Sequence, residues 1–196
     1  MEIFLNGQKL DITLEDEKTV GDVLRSFEHT ASQNRCATTG IKIDGNQIEA
    51  QDFDKAAAQP IESVKRIDLS VVSEDAVADA FKNASAEIKD TVELLTQIPA
   101  QLQNGGDSKA HSTIARLADV VDNFCHIIAL STLFPERFAT IKIDGKNLSA
   151  FFEDFMPVFN DLNDALSNGD TVTLGDLAEY EISPRLTALA SAVKNI

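Results

Sequence analysis

The sequence predicts an α+β chain in two parts: a small sheet-and-helix domain over residues 1–73, then an antiparallel four-helix bundle over residues 74–196. Three observations carry this. Apolar and polar residues alternate in short runs as far as Val72. Beyond Glu74 apolar residues recur at spacings of three and four. Asn-Gly, Asp-Gly or Gly-Gly pairs stand at the joints. With 43% hydrophobic and 25% charged residues, the 196-residue chain has the composition of a globular protein with a sizeable core.

In the first part, residues 1–5 and 9–14 form two short runs joined through Asn6-Gly7-Gln8, a hairpin signal because Asn and Gly tolerate positive φ. Thr19 precedes Val20, Val23, Leu24 and Phe27, which is the pattern of an N-capped amphipathic helix. Ile41-Lys42-Ile43-Asp44-Gly45 reads as a strand entering a turn. Residues 65–72 alternate, with Ile67, Leu69 and Val71 on one face and Arg66, Asp68 and Ser70 on the other. The order ββαβ, irregular chain, then β is that of a β-grasp, the ubiquitin-like superfold.

On these residues the N-terminal third also resembles the sulfur-carrier proteins of thiamine and molybdopterin biosynthesis. The matching segments are Met1 to Gln8, Thr19-Val20-Gly21-Asp22-Val23-Leu24, Ile41 to Ile48, and Val64 to Leu69. The resemblance implies the β-grasp fold. It does not extend to the chemistry, because those carriers act through a free C-terminal Gly-Gly that is adenylated and thiocarboxylated. Here Val71-Val72-Ser73-Glu74-Asp75 stands at that place and the chain runs on. Fold alone does not carry function.

The second part holds four apolar stripes. The first runs from Val77 through Phe81, Ile88 and Leu95 to Leu102, opened by Ser73 and closed by Gly105-Gly106. The second starts at Asp107 or Ser108 and passes through Ile114, Leu117, Val121, Phe124 and Ile128. Its apolar far end, residues 124–134, is expected to sit centrally. The third follows Asn147 or Ser149 with Leu148, Phe152, Phe155, Phe159, Leu162 and Leu166, and stops at Asn168-Gly169. The fourth starts at Thr171 or Thr173 and carries Leu174, Ala178, Ile182, Leu186, Leu189 and Val193. A short strand-turn insertion near residues 138–146 separates the second and third.

Several features bear on chemistry. Pro99, Pro157 and Pro184 fall inside the expected helices, where each removes an amide donor at about 3 kcal/mol; they either splay the bundle into a groove or break helices where these bend, or Pro99 starts a separate short turn. Phe151 and Met156 lie off the third stripe, facing either the first domain or a partner chain. Ile141 and Ile143 repeat the Ile-Lys-Ile-Asp-Gly of residues 41–45. Three residues do not make a stable strand alone, so they should pair with a return strand, the sheet edge of the first domain, or a second chain. A carboxylate-bridged metal pair would want Glu-x-x-His twice, and the chain has none. Asp122 and His126 supply two ligands at most, with His126 expected near the core. Cys36 and Cys125 are 89 residues apart and form no C-x-x-C, with Cys125 expected to be buried. Phosphate-binding and nucleophile-elbow motifs are absent.

The 32 acidic and 17 basic side chains leave a formal net charge of −15, which speaks against nucleic acid and anionic membranes, both bound through Lys and Arg. No apolar run reaches the roughly 18 residues of a membrane span. No secretory signal is read at the N-terminus, so the expected location is the cytoplasm. The resulting expectation is a non-catalytic adaptor that docks a protein of unknown identity, or holds it as a chaperone does, with no cofactor and with a homodimer as a further option. Phe151, Met156, Pro157, Pro184, Ile141 and Ile143 are the expected contact residues. The alternative is an enzyme or a carrier of metal or small ligand using a pocket in the bundle.

Overall fold

Asn6 and Gly7 turn the chain at φ 47° and 82° in the computed structural model, which describes residues 1–14, 16–194 and 196. They join β1 (Glu2–Leu5) to β2 (Gln8–Lys9). β2 is shorter than the expected run of 9–14: its pairing with β1 ends where Leu10 donates to the Ile3 carbonyl at 2.8 Å. Residues 10–14 and 16–18 therefore lie outside the sheet, ahead of the next helix.

That helix, α1 (Val20–Gln33), starts on a reciprocal cap. Thr19 accepts from the Asp22 amide at 3.2 Å, and the Asp22 carboxylate accepts from the Thr19 amide at 3.0 Å. The Thr19 hydroxyl and the Lys18 and Thr19 amides together hold the Asp22 carboxyl below its ordinary value. Thr19→Ala is expected to cost about 1 kcal/mol, read as a lower urea midpoint. Asp22→Asn should be less stable at neutral pH. Because the folded pKa of Asp22 is lowered, its contribution is complete above the ordinary carboxylate range and is lost as pH falls through the lowered value. The midpoints of Asp22→Asn and the natural protein should therefore converge in acid.

The rest of the first unit, Met1–Ala76, completes a mixed five-stranded sheet. β3 (Cys36–Ile43) and β4 (Asn46–Gln47) form a hairpin about Asp44 and Gly45, and β5 (Arg66–Ser73) lies centrally, parallel to β1 and antiparallel to β3, in the order β2-β1-β5-β3-β4. α2 (Phe53–Ala57), between two 3₁₀ turns, occupies the stretch expected to be irregular. Ile3, Val23, Leu24, Ile43, Ile67 and Leu69 form the core between sheet and α1.

The second unit, Val77–Ile196, is mainly helical. Its first helix, α3 (Glu74–Leu95), begins in the first unit, where the Ser73 hydroxyl accepts from the Ala76 amide at 3.1 Å. It stops earlier than expected: Pro99 stands in the first turn of a separate short helix, α4 (Ile98–Gln103). α5 (Asp107–Ser131) follows; the side chain of Asp107 lies outside the described residues. α6 (Pro135–Phe138) leads into β6 (Lys142–Ile143) and β7 (Lys146–Asn147), paired with each other about Asp144 and Gly145. The register repeats that of the first unit a hundred residues later, 142 with 147 and 143 with 146 against 42 with 47 and 43 with 46.

Asn147 then caps α7 (Leu148–Asn168), which ends on Gly169 at φ 67°. The expected fourth helix is interrupted. α8 (Thr171–Asp176), capped by Asp170, passes into a π-helical segment, Leu177–Ile182, before α9 (Ser183–Val193). Pro184 accounts for the break, since it has no amide and its ring would strike the carbonyl four residues back. Instead the Ser183 hydroxyl reaches the Ala178 carbonyl at 2.7 Å. Of the three prolines expected inside helices, only Pro157 is there. A chain of aromatic rings ties the unit together: Phe81 meets Phe124 at 5.6 Å and Phe138 at 5.5 Å between centroids, and Phe124 stacks on Phe152 at 5.9 Å. Ser85 and Ala190 join α3 to α9 through a buried hydrogen bond of 2.8 Å.

Candidate interaction surface

The six expected contact residues divide by burial. Phe151, Ile141 and Ile143 are buried, whereas Met156, Pro157 and Pro184 are exposed. α7 turns Phe151, Phe155 and Leu162 inward, and Phe152 and Phe159 are only half-buried, so the inward stripe begins one residue earlier than expected. Phe151 stacks on Phe155 at 5.9 Å between centroids. The strand of Ile141 and Ile143 finds its partner in the brief return strand β7.

The residues weighed for chemistry are not brought together. Asp122, Cys125 and His126 are all exposed on α5, so its far end is two-faced rather than central, with Phe124 and Ile127 inside. Partial desolvation at the helix surface, aided by the Asp122 carboxylate, pushes the Cys125 thiol above its ordinary value, which favours the unreactive protonated form. Cys36 is half-buried. Tyr180 is exposed, and the neighbouring Glu179 carboxylate raises its hydroxyl pKa. Among the described residues, no group of three His, Cys, Asp or Glu side chains could hold a metal ion, and no helix is long and apolar enough to cross a membrane.

Sequence reasoning missed three grooves with exposed apolar residues at their rims. In the first unit, a cleft of about 390 Å³ lies between the 10–17 strap and α1, with Leu10, Leu14 and Phe27 in its lining and Ile12, 51% exposed, at its edge. A notch of about 440 Å³ separates α1 from α2, where Phe53 is 40% exposed. In the second unit, Pro99 and Leu102 of α4 face Gly175 and Asp176 of α8 across a groove of about 190 Å³, and Val172 is 73% exposed beside it. The sequence carried no signal for the first cleft: in the register of β1 with β2, Ile12 falls opposite Met1 and could have stayed in the sheet.

Charges on the outer face of the sheet are mostly satisfied locally. Arg66 pairs with Asp68 at 2.5 Å and lies 3.7 Å from the centroid of the Phe4 ring, and Lys9 pairs with Glu2 at 2.5 Å. Arg66 lowers the Asp68 carboxyl, as Lys9 does that of Glu2.

Residues 1–73 match the model of the TP0873 N-terminal domain, and residues 79–192, more than half of the chain, match a domain of unknown function, DUF8042. The chain is also similar to an uncharacterized protein of Treponema pallidum (strain Nichols), 23% identical over 193 residues, which cover 98% of this chain and 96% of that protein. No solved structure matches.

Proposed function

The chain belongs to the DUF8042 family, and we propose that it is a non-catalytic protein-interaction module that docks, or holds as a chaperone does, a protein partner in the cytoplasm. The observation that carries this reading is the placement of Ile12, Phe53 and Val172, large apolar side chains exposed at the rims of open grooves in both units. The strand order β2-β1-β5-β3-β4 with α1 against one face supports reading the first unit as a β-grasp, a fold that offers broad surfaces for docking. Three long helices and an interrupted fourth support reading the second as a bundle of four. Cys36 and Cys125 are free thiols, as suits a reducing compartment.

Affinity capture of the tagged chain from its native host tests the reading. One protein recovered in stoichiometric amount, released as salt rises, is the expected result. Stoichiometric iron, manganese or zinc in the purified chain would overturn it in favour of a metal-dependent activity or carrier.

A further inference from the structure

We propose that the cleft between the 10–17 strap and α1 is the docking site for a basic amphipathic segment of the partner protein, one in which apolar side chains alternate with lysines or arginines. The inference rests on the interaction reading above and names the surface and the chemistry of its partner.

The cleft has a floor and a charged mouth. Of the twelve described residues lining it, eight are apolar; three, Thr13, Ser26 and Thr30, carry hydroxyls; and Glu17 is the one charged group among them. The Glu17 carboxylate is held at the rim by the Ser26 hydroxyl, which donates to it at 3.0 Å. Residues 10–17 include Asp11, Glu15, Asp16 and Glu17 and no base, and Asp11 and Asp16 are exposed. The bases flanking the strap are Lys9, already paired with Glu2, and Lys18. Arg25 on α1 pairs with Asp22 and lines the notch beside α2 instead. An occupant therefore meets apolar surface below and negative charge around it, and the complementary molecule is apolar with positive flanks.

Two other occupants fit less well. Ile12 carries the apolar surface outward past the cavity mouth, beyond what a small enclosed ligand would cover. A second copy of the chain would bring another net −15 against the same acidic strap.

The test titrates the full chain into a fluorescein-labelled peptide of alternating leucine, phenylalanine and lysine, followed by fluorescence anisotropy. Two counterparts carry glutamate in place of lysine, or serine in place of the apolar residues. The lysine peptide is expected to bind, and both counterparts about tenfold more weakly or worse. Ile12→Lys should weaken binding about tenfold, Thr30→Lys on the opposite wall similarly, and Glu17→Gln about threefold, with a shallower salt dependence. Asn163→Lys, exposed on α7 in the other unit and lining none of the three grooves, should change nothing. Ile12 and Thr30 are exposed, so an unchanged urea midpoint checks that their variants still fold. Equal binding of all three peptides, or binding indifferent to both Ile12→Lys and Thr30→Lys, overturns the proposal. So does a dimer that Ile12→Lys dissolves, which would name a second copy as the occupant. If a partner captured from the host survives Ile12→Lys and Thr30→Lys, the cleft is wrong and the interaction reading stands; if no partner is captured at all, the reading itself fails.

Discussion

Phe81→Ala is expected to destabilise the chain by about 3–5 kcal/mol, the range for emptying a large ring from a close-packed interior. Phe81 is fully buried and touches rings on two other elements, Phe124 of α5 and Phe138 of α6. Its loss leaves a void bordered by rings from two other helices, which cannot close unless those helices shift inward. Against a typical total of about 5–15 kcal/mol, this removes a large share of the stability. Urea unfolding followed by helical circular dichroism checks it. Phe159→Ala provides the contrast: Phe159 is half-buried, with Phe155 as its ring partner at 6.3 Å, and should cost about 1–2 kcal/mol. Equal losses in the two variants would mean that the ring chain does not organise the second unit.

Pro157→Ala should act in the opposite direction, stabilising the chain by about 1–3 kcal/mol. Pro157 lies on the exposed side of α7, in its interior, and leaves the Glu153 carbonyl without the amide that a regular helix would supply. Alanine restores that donor and removes the ring from the preceding turn. A rise in urea midpoint is the expected result. A fall would show that the packing of Phe151 and Leu162 requires the distortion that the proline imposes. Partner capture by the same variant separates the two roles weighed for this residue: unchanged capture with raised stability removes Pro157 from the docking surface.

Elements marked by both a period and a punctuating residue were readable directly. Thr19 with Asp22 opens α1, Asn147 opens α7, Gly169 closes it, and three Asn-Gly or Asp-Gly pairs turn their hairpins with positive φ. The misreadings share one physical origin, since each depends on neighbours distant in sequence. Spacings of three and four fit Phe152-Phe155-Phe159 as well as Phe151-Phe155-Leu162, and the choice rests on which way α7 is rotated against its partners. The apolar stretch after Phe124 looked central, yet Cys125 and His126 face outward because α5 is covered on one side. The stop after Leu95 carries no glycine, and a π segment has no sequence mark beyond the proline that follows it. For the candidate surface, Met156, Pro157 and Pro184 were found at the exterior, while the Ile12 cleft emerged only in the structure.

The parallel pairing of β1 with β5 has a consequence for synthesis. Glu2 lies opposite Arg66, so β1 waits for a partner made 64 residues after it. At about 5–20 residues per second, the wait is roughly 3–13 s. Through that interval β1 has only the two-residue β2 as a strand partner, with α1 available to cover one face. The sheet of the first unit therefore closes last at its centre, and a nascent chain arrested between β3 and β5 would display Ile3 and Leu5 to the chaperones at the ribosome exit.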